Sequence, residues 1–390
     1  MPDSVHKIAL PINKSAMIRH LAMSFIYRDF VELDNSWSND IQVMHKAIQP
    51  AGVIDFEDAG TPMRIMCALL SSREGVELKA NESLAYRPLK PLLTCLESLG
   101  AQFEYKEKEH SLPFKIIKRC SPFTECTIDG RLSSQFVSAM ILLACMQRNE
   151  VEINYHLSGS SKYIAQTLDV ISAWGIKVTQ TANSIILSEQ VGMSKPTVEI
   201  EADYSSLAFM LNLALAKPSQ LFEVYGLNPE SKQADKASIA IYRQIGMEFL
   251  WLNNGALQFS FKSKIPKEIH LNIKECIDLG LALIAACAFL NIKLNLNGYQ
   301  KLAFKESNRI EAMRTNLSPL GIDLIEEGQT LRLSGQGIES DHISIQSFND
   351  HRIVMAMAIF GLDGNLDCDN LDCVSKSYPK FWAEFDKIKN

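Results

Sequence analysis

The sequence predicts an α/β protein built by repeating one unit of two helices plus strands six times. Three observations lead there. Five apolar runs of helical length each follow a polar or acidic residue: "TPMRIMCALL" from Thr61, "SSQFVSAMILLACM" from Ser133, "SSLAFMLNLALA" from Ser205, "DLGLALIAACAF" from Asp278 and "DHRIVMAMAIF" from Asp350, so that successive starts lie 72, 72, 73 and 72 residues apart. A second series, "LLTCLESLGAQFEY", "LDVISAWGIKVTQ", "IYRQIGMEFLW" and "LSPLGIDLIEE", reads each time as an amphipathic helix, a Gly and an extended apolar segment. An earlier copy is visible as "KSAMIRHLAMSFI" (14–26) followed by "IQVMHKAIQPAGVIDF" (41–56). A fixed period of this length marks a chain built by duplication.

Each element has a local reason. Thr61, Ser133, Ser205, Asp278 and Asp350 are expected as N-caps, because their side-chain oxygens can accept from the first backbone N–H groups of a helix. Pro62, just inside its helix, costs nothing there because that N–H has no helical partner. Gly100, Gly175, Gly246 and Gly321 are expected to close the second helix of their units by taking a positive φ.

At 390 residues the chain exceeds what one core usually organises, so two domains are expected. Apolar content of 47% and charged content of 22% are those of an ordinary globular protein. The start, "MPDSVHKIALPIN", predicts no secretory leader. The longest uncharged run, 279–292, is too short to span a bilayer and suits a buried helix. Nine scattered cysteines without a CxxC, and with Cys120/Cys126 and Cys368/Cys373 at the wrong spacing for common zinc sites, read as reduced thiols of a cytoplasmic protein with no bound metal. A net charge of −6 argues against a nucleic-acid binder, but leaves room for anionic small molecules bound by a local cluster of cations.

Such a cluster is expected at the helix starts, where free N–H donors and the helix dipole favour phosphates and carboxylates. Lys14, Ser15 and Arg19 open the first copy, Gly60 and Arg64 the second, and Ser133, Ser134 and Gln135 the third. Asp278 precedes a wholly apolar helix, and "NDHR" supplies His351 and Arg352. Arg87 ("YRPL"), Lys305, Glu306 and Arg309 ("KESNR") and Lys376 ("SKSYP") add charge. Singly, each has an ordinary structural role as a cap, a solvated helix face or a hydrogen-bonded histidine. Arg19, Arg64, Arg309 and Arg352, read as first-turn residues, oppose the dipole preference, and a local rule broken repeatedly at equivalent points suggests function.

In this order "LPINKSAMIR", "DAGTPMR", "YRPL", "DGRLSSQF", "SSKYIAQTL", "IDLGLALIAACAF", "KESNRI", "NDHRIVMAMA" and "SKSYP" resemble the motifs of the EPSP synthase family of enolpyruvyl transferases over some 370 residues. The resemblance implies a two-lobed inside-out α/β barrel with three βαβαββ repeats per lobe. The lower lobe is expected at 13–202 and the upper at 1–12 plus 203–390, with the substrates between them. It implies transfer of the enolpyruvyl group of phosphoenolpyruvate to the 5-hydroxyl of shikimate 3-phosphate, with no metal or organic cofactor, by a cytoplasmic monomer. It assigns Lys14, Ser15, Arg19, Ser133, Ser134, Gln135, Ser160, Tyr163, Asp278 and Lys305 to shikimate 3-phosphate. Lys14, Gly60, Arg64, Arg87, Gln135, Arg309, Arg352 and Lys376 go to phosphoenolpyruvate. Asp278 is the candidate base on the hydroxyl, with Lys305 beside it; Glu306 is the partner in proton transfer to the methylene carbon, and Lys14 and His351 complete the catalytic set. Departures from the family pattern are Ile12 and Asn13 for Gly-Ser, Asp58 for Asn, Ala234 in a "QGD" motif, Lys301 for Asn, Ala303 for Arg and Asn308 for Asp. Two other readings stay open: the sister transferase acting on UDP-N-acetylglucosamine, and a non-catalytic binder of an anionic metabolite.

Overall fold

A computed structural model describes residues 5–29, 31–147, 149–188, 199–262, 264–335 and 342–389. The chain forms two compact units, Lys14–Ile200 and Met1–Asn13 with Glu201–Asn390. The second unit gathers both chain crossings. Ile12 bridges Ala202 antiparallel, Asn13 N–H donates to the Glu201 carbonyl at 2.8 Å, and Asp203 N–H donates to that of Pro11 at 3.0 Å.

One short strand, β1 (His6–Ile8), precedes the first unit. The unit itself runs α1 (Lys14–Tyr27), α2 (Asn39–Ala47), β2 (Val53–Asp55), α3 (Gly60–Leu70), β3 (Glu77–Lys79), α4 (Glu82–Ala85), α5 (Lys90–Ser98), β4 (Gln102–Tyr105), β5 (Phe114–Lys118), β6 (Glu125–Asp129), α6 (Ser134–Ala144), β7 (Val151–His156), α7 (Ser161–Ala173), β8 (Val178–Gln180) and β9 (Ser184–Leu187). Its two sheets share one plan, β2-β3-β5-β4 and β6-β7-β9-β8, in which the first pair is parallel and the rest antiparallel. The parallel pair needs a helical crossover and the antiparallel pair only a hairpin, which is what a βαβαββ repeat supplies. Helices α1 and α6 both pack on α3, and α3 and α6 are buried almost all round. The helices thus form the core and the sheets lie outside them.

The second unit repeats the plan. It contains α8 (Tyr204–Leu215), β10 (Phe222–Val224), α9 (Ala237–Gln244), β11 (Met247–Trp251), β12 (Leu257–Phe261), β13 (Glu268–Asn272), α10 (Gly280–Phe289), β14 (Lys293–Asn297), α11 (Arg309–Leu317), β15 (Ile322–Glu327), β16 (Thr330–Gly335), β17 (His342–Ile345), α12 (His351–Met357), β18 (Asn365–Cys368) and α13 (Phe381–Lys389). Sheets β1-β10-β12-β11 and β13-β14-β16-β15 have the same order as those of the first unit, and β17-β18 is a parallel pair. Helices α8, α10 and α12 pack together at the centre. Among the described residues six helix pairs are therefore present, three per unit. Four repeats carry a full four-stranded sheet, the last has one parallel pair, and the first contributes helices without a described strand of its own. No described helix is long and apolar enough to cross a membrane.

The expected glycine terminators all appear, with φ of +94° at Gly100, +88° at Gly175, +99° at Gly246 and +71° at Gly321. The caps need correction. Ser133 and Asp350 cap α6 and α12 through the backbone N–H groups of Gln135 (3.3 Å) and Arg352 (3.0 Å). Elsewhere a neighbour supplies the cap or none exists. α8 is capped by Asp203, which accepts from Ser205 N–H at 2.7 Å, because a carboxylate is the stronger acceptor for a helix N-terminus. α3 starts at Gly60 after Ala59 and has no side-chain cap, so Thr61 lies inside the helix. Asp278 lies in a 3-10 turn, Ile277–Leu279, ahead of α10, with its carboxylate drawn to cations instead.

The first-turn reading of the arginines also needs correction. Arg309 and Arg352 are at the first and second positions of their helices. Arg19 and Arg64 stand at the sixth and fifth, a turn further in, where the dipole argument has faded. The "KESNR" segment joins α11 to a 3-10 turn, Gln300–Phe304, rather than directly to a strand.

Candidate active site

In the second unit three cations from two chain segments converge on Asp278. Lys305 Nζ donates to its Oδ1 at 3.0 Å, Arg309 Nη1 lies 3.5 Å from the same oxygen, and Arg352 Nη2 lies 3.4 Å from Oδ2. Arg352 Nη1 also donates to the Asp278 carbonyl at 2.8 Å. Burial alone would push this carboxyl up; Arg352, Lys305 and Arg309 together outweigh burial and hold it well below the usual carboxylate range. Burial in turn pulls the Lys305 ammonium down, against the attraction of Asp278.

Arg309 is the hub. Its side chain is 1% exposed, and Nη2 donates to Glu306 Oε2 at 2.8 Å. Its Nε and another Nη2 contact reach Asp350 Oδ2 and Oδ1 at 2.8 and 3.2 Å. Asp350 is fully buried; it accepts from the Ser307 hydroxyl at 3.0 Å and caps α12. The dipole rule broken by Arg309 and Arg352 is thus offset by protein carboxylates. His351 is fully buried, with Nδ1 3.9 Å from Asp350 Oδ1. Lys376 is 4% exposed and ends the 3-10 turn Leu371–Lys376, which packs on α12. Asp235, in a turn that packs on α8, accepts from the Ser205 hydroxyl, and burial together with the field of Asp278 pushes its carboxyl up to about 7.

In the first unit the expected residues fall into separate groups. Lys14 Nζ pairs with Asp40 Oδ2 at 2.7 Å, and the Asp40 side chain is only 3% exposed. Arg19 is spent inside the unit: Nε donates to Thr167 Oγ1 at 2.7 Å, Nη1 to the Ser15 carbonyl at 2.7 Å, and Nη2 to Ser138 Oγ and the Tyr163 carbonyl at 3.3 and 3.4 Å. Burial brings its guanidinium down to about 10. Gln135 joins α6 to α3, donating from Nε2 to Thr61 Oγ1 at 2.9 Å and accepting from Arg64 Nη1 at 2.6 Å. Arg64 also lies over the Phe136 ring and donates to the Pro88 carbonyl at 3.4 Å. The Arg87 guanidinium lies against Gly60, where a Cβ would come within 2.5 Å of Nη1. Ser134 is buried in the first turn of α6. Ser160 precedes α7 at φ +66°, ψ +25°, left-handed backbone that costs a non-glycine residue roughly 1 kcal/mol.

Sequence reasoning missed Asp40 and Asp350 as partners of site residues, and gave no role to Asp235. The only signal for Asp350 was its place as a helix cap.

The architecture and this carboxylate-threaded cation cluster can be set beside known proteins. A family model for EPSP synthase (3-phosphoshikimate 1-carboxyvinyltransferase) matches residues 26–385. The chain belongs to the EPSP synthase family. A 3-phosphoshikimate 1-carboxyvinyltransferase of Bacteroides fragilis is 29% identical over 389 residues, covering 97% of this chain and 94% of the relative. One from Syntrophobacter fumaroxidans is 30% identical over 346 residues, covering 88% of this chain and 81% of its own length. The fold matches a solved EPSP synthase of Acinetobacter baumannii at a TM-score of 0.76 and 21% identity, covering 100% of this chain and 97% of that one. It also matches an enolpyruvyl transferase of Streptomyces tendae at 0.71 and 12% identity, covering 99% and 95%. The six-repeat plan is the plan of this family.

Proposed function

We propose that this family member transfers the enolpyruvyl group of phosphoenolpyruvate to the 5-hydroxyl of shikimate 3-phosphate and releases inorganic phosphate. The observation that carries the reading is the partly buried network in which Asp278, Glu306 and Asp350 share Lys305, Arg309 and Arg352. A site for binding alone needs Asp350 to hold the buried Arg309, but gains nothing from the more exposed Asp278, which repels anionic ligands. A site for addition and elimination needs a proton acceptor for the hydroxyl, a donor for the methylene carbon, and cations to offset two phosphates and two carboxylates.

Asp278 takes the hydroxyl proton while the oxygen bonds to the central carbon of phosphoenolpyruvate and a proton is delivered to its methylene carbon by Glu306. Reversal of the carbon protonation and cleavage of the C–O bond to phosphate then yield the product. Asp278 is ionised but a weak base while three cations face it. Anionic substrates set against Lys305, Arg309 and Arg352 withdraw that field, so its proton affinity rises when the hydroxyl arrives. Arg309, Arg352, Lys376 and Arg87 hold phosphoenolpyruvate, with Arg64 and Gln135 behind it; His351 hydrogen-bonds in that site. Ser133, Ser134, Ser160, Tyr163, Ser15 and Arg19 serve the phosphate ester, and Lys14, aimed by Asp40, serves both. The enzyme works as a cytoplasmic monomer without a cofactor.

The test is phosphate release from phosphoenolpyruvate by folded protein, with shikimate 3-phosphate or UDP-N-acetylglucosamine as acceptor. Release that depends on shikimate 3-phosphate is expected; release with the nucleotide sugar alone, or with neither, overturns the reading.

A smaller prediction concerns Gly60. A methyl there must displace the Arg87 guanidinium, which can move because it ends a flexible side chain. Gly60→Ala is expected to raise KM for phosphoenolpyruvate by about tenfold, the loss of roughly one charge-assisted hydrogen bond, and to weaken inhibition by glyphosate, which competes for that site. An unchanged KM in steady-state kinetics would remove Arg87 from the site.

A further inference from the structure

We infer that the second unit carries a further binding site, for an amphiphilic monocarboxylate, in a cleft at the end of the sheet β13-β14-β16-β15 away from Asp278. The cleft has a volume of about 500 Å³, inside the range of pockets that hold small organic molecules. It lies where α10 ends, where β13, β14 and β15 begin and where β16 finishes. Asp278 precedes the opposite end of α10. The 10 residues of that helix, roughly 15 Å of rise, separate the cleft from the candidate active site.

The walls are apolar. Ala288, Ile292, Ile322 and Leu333 line the cleft and are themselves 2 to 5% exposed. Cys287 joins them from the last turn of α10, and burial pushes its thiol up to about 12, so it stays neutral. The mouth is cationic. Lys267 and Lys293 are both exposed and are held side by side, because Lys293 N–H donates to the Lys267 carbonyl at 3.1 Å. Among the described residues neither ammonium has a hydrogen bond or an ion pair. Glu268 faces Lys293 across the β13–β14 pair without bridging to it. Its carboxylate instead accepts from Asn295 Nδ2 at 2.7 Å and lies 3.3 Å from His270 Nε2. The one acid of the cleft is thus engaged, and two cations are left for an anion.

The end of α10 fixes how a ligand lies. A helix C-terminus disfavours anions. Its last carbonyls, those of Ala286, Cys287 and Ala288, already accept from the N–H groups of Leu290, Ile292 and Asn291. The inner cleft therefore offers an anion nothing and needs no polar partner. An apolar body packs inward against α10 and the strand ends, and its carboxylate stays outward between the lysines. Phosphoenolpyruvate and sugar-like phosphates are polyanions without an apolar body, so they do not match this division.

The experiment titrates 1-naphthylacetate and its neutral amide into the full-length protein by calorimetry, and repeats this with the Lys267→Gln, Lys293→Gln double variant. Both substitutions lie far from the candidate active site, and a thermal melt checks that the variant is folded. Saturable one-to-one binding of the carboxylate is expected for the wild type. The amide is expected to bind about 10- to 100-fold more weakly, as for loss of a hydrogen bond to a charged group, and the double variant should weaken the carboxylate by the same factor. Excess phosphoenolpyruvate should leave the titration unchanged. Absence of saturable binding overturns the inference. Equal affinity for acid and amide does so too, since apolar contact alone would then explain the binding. Full affinity in the double variant, or displacement by phosphoenolpyruvate, places the probe elsewhere and likewise overturns it.

Discussion

Asp278→Asn is expected to lower kcat by about a thousandfold, within the range for loss of a positioned acid–base group, while the affinity for shikimate 3-phosphate stays the same or tightens. The argument is electrostatic. In the wild type this carboxylate faces Lys305, Arg309 and Arg352 at 3.0 to 3.5 Å. Removing its charge frees those cations for the anionic substrates but deletes the proton acceptor. Turnover and binding therefore move in different directions, which a merely destabilised protein would not show. The variant should also lose about 3 kcal/mol of stability, because one partner of a buried ion network has been removed. That stability has a fixed pH dependence. The folded-state pKa of Asp278 is depressed, so its contribution is fully present above the unfolded value near 3.9. It is lost as pH falls from there toward the much lower folded value. Wild type and variant should converge in strong acid, and their difference should narrow as pH rises from 5 toward about 7, because the field of Asp278 that raises the Asp235 carboxyl is missing in the variant. Titration calorimetry for binding, phosphate release for turnover and denaturant melts for stability check the three parts. A kcat within threefold of the wild type would remove Asp278 from the chemistry.

What could be read from the sequence, and what could not, divides by the range of the interaction. The period of the helices and the glycines that end them are local, so Gly100, Gly175, Gly246 and Gly321 could be placed from a few neighbours each. Caps are local too, but several candidates compete within three residues, and Asp203 takes the position expected of Ser205 because its charge wins. Roles that depend on distant segments were not legible. Arg19 and Ser15 are four apart and look like one ligand-binding face, yet three of the guanidinium's four acceptors, at Ser138, Tyr163 and Thr167, lie more than a hundred residues away. Asp40 holds Lys14 across 26 residues and Asp350 holds Arg309 across 41, and no spacing rule reaches that far. The charged groups of "KESNR" were legible as a site only because three other segments carried matching motifs.

Asp350 is where stability and chemistry are most tightly joined, and a pair of substitutions separates them. Asp350→Ala removes two things: the cap on α12 and the bidentate partner of a guanidinium that is 1% exposed. Asp350→Asn keeps the cap, since Asn caps as well as Asp, and removes only the charge. The alanine variant should lose about 4 kcal/mol, mostly from leaving a buried arginine short of its partner, and the asparagine variant about 1 kcal/mol less, the worth of the cap. Both should weaken phosphoenolpyruvate. With Asp350 neutral, Arg309 has only Glu306 and Asp278 to pair with, and drawing it toward Glu306 takes a donor from the substrate and an acid from the carbon it should protonate. The kinetic signature is a raised KM for phosphoenolpyruvate and a lowered kcat in both variants, with KM for shikimate 3-phosphate little changed. Denaturant melts and two-substrate kinetics on both proteins check this. Should Asp350→Asn be as stable and as active as the wild type, the other two carboxylates suffice to hold Arg309. The fully buried charge of Asp350 would then be needed for neither the fold nor the reaction.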